Sequence, residues 1–114
     1  MKSILVIDDE PTILDAFKFV FEDMGYTVQT ASDPIQGTEI AVTQDFDLVI
    51  TDLRMAERNG AEVTEMILAK KPQTHILVIT AYPTDPLAER AIKAGAVGLI
   101  RKPFEIAKIL AYLT

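Results

Sequence analysis

A chain of 114 residues, 49% hydrophobic and 25% charged, is long enough for one globular domain with a two-sided core and too short for a second. Its net charge of −6 argues against direct nucleic-acid binding, because phosphate backbones attract basic surfaces, and the lack of cysteine excludes disulfides and thiolate metal sites. Met1-Lys2-Ser3 leads into a short apolar run, with neither the long apolar stretch of a signal peptide nor a membrane span, so a cytoplasmic domain away from the membrane is expected.

Ile4-Leu5-Val6-Ile7 is continuously apolar and rich in β-branched residues, as a parallel strand buried on both faces must be. An amphipathic helix follows, in which Ile13, Leu14, Phe17, Val20, Phe21 and Met24 fall at helical spacing and form one stripe for a sheet to cover. Pro11 suits its first turn, and Gly25 suits a left-handed C-terminal cap. The second strand is expected at Val28-Gln29-Thr30 and the second helix over 34–42, which begins with Pro34. Leu48-Val49-Ile50-Thr51 reads as the third strand and 61–70 as the third helix. Ile76-Leu77-Val78-Ile79 then precedes a helix over 86–94 stopped by Gly95, and Gly98-Leu99-Ile100 precedes a fifth helix over 103–113. Strict alternation with short connections calls for right-handed crossovers and helices on both faces of a parallel sheet. The predicted fold is therefore α/β and doubly wound, a single domain over 1–114, for which the flavodoxin-like strand order 2-1-3-4-5 is a common solution.

Ligands of open α/β sheets sit beyond the carboxyl ends of the strands, so the closing residues carry the functional signal. Here they are polar: Asp8-Asp9-Glu10 after strand one, Asp52 after strand three, Thr80 after strand four and Lys102 after strand five. Two carboxylates about 5 Å apart repel by roughly 3 kcal/mol at an effective dielectric near 20, so such a cluster calls for a cation. Oxygen ligands alone point to a hard divalent ion: Mg²⁺ fits a site of few carboxylates, waters and phosphate oxygens, and ligand type alone leaves Ca²⁺ open. A carboxylate beside such an ion, an ammonium group and a hydroxyl is also a phosphoryl acceptor in waiting. Asp52 stands alone on its strand and reads as the nucleophile, whereas the adjacent Asp8 and Asp9 read as a metal-holding pair. His75 precedes strand four, away from the acidic edge, and is given no chemistry.

Ile7-Asp8-Asp9-Glu10, Thr51-Asp52-Leu53-Arg54-Met55 with Gly60, Thr80-Ala81, Gly95-Ala96 and Lys102-Pro103-Phe104 together resemble the receiver domains of two-component response regulators, over nearly the full chain. The resemblance implies a chemotaxis-regulator-like domain in which a histidine kinase or phosphotransfer protein phosphorylates Asp52. Mg²⁺ would be held by Asp8, Asp9, Asp52 and the backbone carbonyl of Arg54. Lys102 would pair with the phosphoryl group, Thr80 would move toward it as the switch hydroxyl, and small Ala81 would leave room for an oxygen. The implied readout surface is helix four, strand five and helix five. A homodimer formed on phosphorylation and an effector domain in a longer parent chain are the implied further partners, and the short last helix agrees with such a parent. The stretches around Asp52 and Thr80 look like those of nitrogen-regulator-type transcription activators.

Two positions depart from the pattern. Ala56 stands where the family has proline after the methionine, which frees one φ angle in that loop. Leu99 stands where the family commonly has a tyrosine or phenylalanine that swings inward with the threonine, and an aliphatic side chain cannot copy that rotation. The rival readings are a pseudo-receiver that docks partners without phosphorylation, a flavodoxin-like cofactor binder, and a haloacid-dehalogenase-type phosphohydrolase. The last wants Asp-x-Asp where this chain has Asp8-Asp9-Glu10.

Overall fold

The computed structural model describes residues 2–113. Strands β1 (Ser3–Ile7), β2 (Thr27–Ala31), β3 (Leu48–Asp52), β4 (Ile76–Thr80) and β5 (Gly98–Arg101) alternate with helices α1 (Pro11–Asp23), α2 (Pro34–Thr43), α3 (Gly60–Lys70), α4 (Pro86–Ala94) and α5 (Ile106–Leu110). All strand pairs are parallel and the sheet order is β2-β1-β3-β4-β5, the expected doubly wound arrangement.

Side chains alternate across the pleat. Ile4, Val6, Ile50 and Ile79 meet Leu14, Phe17 and Phe21 of α1 and Ile109 of α5, whereas Leu5, Ile7, Val49 and Ile76 meet Ala41 of α2 and Val63 and Ile67 of α3. A third cluster seats Ala88 and Ala91 of α4 on Val78 and Leu53. Burying each large side chain contributes about 1.5 to 3 kcal/mol, and β3 and β4 are buried at every position. The central strands are thus held rigidly, with their polar closing residues at one edge.

Local signals explain most boundaries. Prolines open α1, α2 and α4 at a position whose N–H would be unpaired anyway. Asp33 accepts a hydrogen bond from the Ile35 amide at 2.8 Å, and Asn59 with Glu62 forms a reciprocal capping box at the start of α3. Gly25 at φ 95° and Gly95 at φ 118° turn the chain out of α1 and α4 in the left-handed region.

Three expectations need correction. Met24 leaves the buried stripe because α1 ends at Asp23; Met24 is its C-cap and is 46% exposed. The fifth helix covers Ile106–Leu110 only, not 103–113. Phe104 is drawn from the helix to stack on Phe17, ring centroids 4.5 Å apart, so the chain runs through bends after a cis Lys102–Pro103 bond and α5 starts after an extended Glu105. Lys102 lies one residue beyond β5, yet its amide donates to the Thr80 carbonyl at 2.8 Å and so stays in register with β4.

Candidate functional site

The four strand ends meet at one edge of the sheet. Asp8 is fully buried; its Oδ1 accepts the Glu10 amide at 3.0 Å and its Oδ2 accepts Lys102 Nζ at 3.2 Å. Asp52 closes β3 at 7% exposure; its Oδ1 accepts the Leu53 amide at 2.8 Å and its Oδ2 lies 3.3 Å from Lys102 Nζ. The ammonium of Lys102 also lies 3.7 Å from Glu10. Asp8, Asp9, Glu10 and Asp52 each offer a carboxylate oxygen within 4.8 Å of the others, with Asp9 and Glu10 at the open side. Thr80 is buried at the end of β4, and its Oγ1 accepts the Tyr82 amide at 3.0 Å. Leu99 lies opposite Val78 and packs, half-buried, with the α4 cluster.

Charge in this cluster is incompletely balanced. Burial, and then repulsion by Asp8, push the Asp52 carboxyl up to about 6 despite Lys102 and the Leu53 amide. Burial also raises Asp8 above the usual carboxylate range, opposed by the Glu10 amide and Lys102. For Lys102, burial works against the charged form, but Asp52 and Asp8 outweigh it and hold the ammonium above its ordinary pKa. Two buried carboxylates facing one ammonium, with two more carboxylates at the rim, leave excess negative charge. The donor set is all oxygen, so the residues fit a hard divalent cation such as Mg²⁺.

The sequence marked Thr51, Arg54 and Gly60 as motif residues but not the contacts they make, and it did not mark Glu57 or Asp85. Thr51 Oγ1 donates to the Asp52 carbonyl at 2.9 Å, and Gly60 lies so close behind that a Cβ there would come within 2.4 Å of the same oxygen. Glu57, between them, adopts φ 71°, a left-handed conformation uncommon for a residue with a side chain. Arg54 pairs bidentately with Asp85, with Nε to Oδ2 at 2.6 Å and Nη2 to Oδ1 at 2.9 Å. Only acidity ahead of Pro86 hinted at Asp85, and that signal belongs to its helix cap.

The response regulator receiver domain model matches residues 4–114. The chain belongs to that family. Among curated relatives, the alginate biosynthesis transcriptional regulatory protein AlgB of Pseudomonas aeruginosa is 39% identical over 88% of this receiver domain. The domain spans 22% of AlgB's length, well under two thirds. A response regulator from Burkholderia pseudomallei, whose structure holds a phosphorylated aspartic acid, a calcium ion and citrate, superposes with TM-score 0.90 at 29% identity, covering 100% of this chain and 67% of that one. The receiver domain of the sensor histidine kinase PA1611 of P. aeruginosa, with a magnesium ion in its active-site cleft, superposes with TM-score 0.88 at 26% identity, covering 98% and 93%. Among the described residues, no helix of this receiver domain is long and apolar enough to cross a membrane.

Proposed function

We propose that this receiver domain is a cytoplasmic phosphorylation switch in which Asp52 accepts a phosphoryl group from the phosphohistidine of a sensor kinase or phosphotransfer protein. The carrying observation is the Asp52 carboxylate itself, alone at the end of a fully buried strand and 3.3 Å from the Lys102 ammonium. In the transfer, an Asp52 oxygen forms the bond to phosphorus as the phosphorus–nitrogen bond breaks, and the leaving imidazole takes a proton from solvent. Lys102 would neutralise an equatorial oxygen of the transferring group, and the Thr80 hydroxyl, whose oxygen accepts the Tyr82 amide, would donate its proton to a phosphoryl oxygen. Asp8, Asp9, Asp52 and the Arg54 carbonyl would hold Mg²⁺. The ion would supply charge neutralisation at the phosphoryl oxygens. The domain is thus its own catalyst and no turnover enzyme.

Contacts made only in the phosphorylated form shift the population of α4, β5 and α5. Moving it from 1:99 to 99:1 takes about 5.5 kcal/mol, within reach of several charge-assisted hydrogen bonds. Leu99 removes the aromatic part of the family's relay. An effector domain in a longer parent, with transcription as its output, is the reading that the regulators aligned with this domain support. Incubation with acetyl phosphate and Mg²⁺ followed by mass mapping tests the proposal. A phosphoryl group on Asp52, absent from Asp52→Asn, is the expected result. Label on Asp8 would support the hydrolase reading instead, and no label the static docking module.

A further inference from the structure

Asp85 stands five residues beyond Thr80 and caps α4, its Oδ1 accepting the Leu87 amide at 2.9 Å. The same carboxylate holds the Arg54 guanidinium through two hydrogen bonds of 2.6 and 2.9 Å. Its side chain is 8% exposed, whereas that of Arg54 is 63% exposed, so a fixed acceptor holds a cation that solvent leaves free to move. The bridge joins the loop after Asp52 to the loop after Thr80. The Asp85 amide in turn donates to the Tyr82 carbonyl at 3.0 Å, and the Tyr82 amide donates to Thr80 Oγ1. Arg54, Asp85, Tyr82 and Thr80 therefore form one hydrogen-bonded sequence that leads from one side of the acidic cleft to the other.

A phosphoryl group on Asp52 would place up to two negative charges two residues from Arg54 and would outcompete a single carboxylate for the guanidinium. We propose that Asp85 is a positioning residue for the phosphorylation site: its carboxylate latches Arg54 to the first turn of α4, and a phosphoryl group on Asp52 draws Arg54 off it. This rests on the acceptor role proposed for Asp52. It gives α4 a route to sense the phosphoryl group that does not pass through residue 99, where the side chain is aliphatic.

Asp85→Asn separates latch from cap, because asparagine caps a helix as well as aspartate does. Without ligand, the Arg54 Nε–H resonance of wild type is protected from solvent exchange, and in Asp85→Asn it is not. With Mg²⁺ and beryllofluoride, a phosphoryl mimic, the Arg54 Nε–H and Leu87 amide resonances of wild type both shift. Asp85→Asn binds beryllofluoride, and is labelled by acetyl phosphate, about threefold more strongly, the scale of one ion-pair competition. In an Arg54→Gln background, Asp85→Asn produces no further gain, which a mere change in folding would not reproduce. Equal binding by wild type and Asp85→Asn, or a gain that persists without Arg54, overturns the latch alone. Failure of wild type to bind beryllofluoride or take up label overturns the acceptor role of Asp52, and the latch with it.

Discussion

Asp52 is held in a state that costs the fold stability until something balances it. Its carboxyl is raised from 3.8 to about 6, so the folded chain binds a proton more tightly than the unfolded one between those values. Stability from this group is therefore present below pH 3.8 and lost as pH rises through about 6. A shift of that size corresponds to about 3 kcal/mol against the charged form. Asp52→Asn, in chelator at neutral pH, is expected to gain about 1 to 3 kcal/mol in urea unfolding, with the gain fading toward pH 4. A gain that is independent of pH would show that the strain is not electrostatic. Gly60→Ala should act in the other direction, because its Cβ would meet the Asp52 carbonyl at 2.4 Å and the backbone cannot yield as a side-chain tip can. A loss of about 1 to 3 kcal/mol is expected, with displaced Leu53 and Asp52 amide resonances. Asp8, Asp52 and Thr80 were legible in the sequence because each breaks an apolar strand where the sheet topology makes an edge. The Arg54–Asp85 pair was not, since its partners are 31 residues apart in loops that carry no periodicity.

At the scale of elements, α3 is the wall behind Asp52, and its start is fixed by chemistry written in the chain. The Asn59 side chain accepts the Glu62 amide at 2.9 Å while Glu62 accepts the Asn59 amide at 3.1 Å. Asn59→Ala should cost about 1 kcal/mol, and hydrogen exchange should quicken first at Ala61 and Glu62, not in β3. Uniformly faster exchange would mean that the cap does not act locally. The strands were readable as short apolar runs, α1, α2 and α4 because a proline opens each and a glycine follows α1 and α4, and α3 from its helical spacing alone. The fifth helix was misjudged for a physical reason: Phe104 fits the helical pattern, but its ring gains more by stacking 4.5 Å from Phe17 than by continuing a helix. A pattern reports which residues are apolar, and the packing decides which neighbour they reach. Phe17, with no exposed surface, also stacks on Phe21 at 5.7 Å, so one residue joins α1 to the segment that delivers Lys102. Phe17→Leu is expected to cost about 1 to 3 kcal/mol and to perturb the Lys102 amide although that residue is untouched.

The whole molecule carries a charge of −6, and its strand order gathers part of that excess at one edge. A fold that concentrates like charge on its most rigid strands is stabilised by any cation that binds there and does not bind the unfolded chain. The linkage is quantitative: at a hundred times the dissociation constant, one bound ion adds about 2.7 kcal/mol. For a chain of this length each kcal/mol moves the melting temperature by about 4 °C, so Mg²⁺ should raise it by about 10 °C. The melting temperature should climb with the logarithm of Mg²⁺ without reaching a plateau, whereas sodium chloride of equal ionic strength should produce a smaller, screening-type rise. Asp8→Asn should flatten the Mg²⁺ slope, because it removes a fully buried carboxylate from the cluster, while its own metal-free stability should rise. A melting temperature equally sensitive to Mg²⁺ in wild type and Asp8→Asn would place the ion elsewhere on the acidic surface. In that case the strand-end cluster would be a source of strain relieved by protons and Lys102 alone.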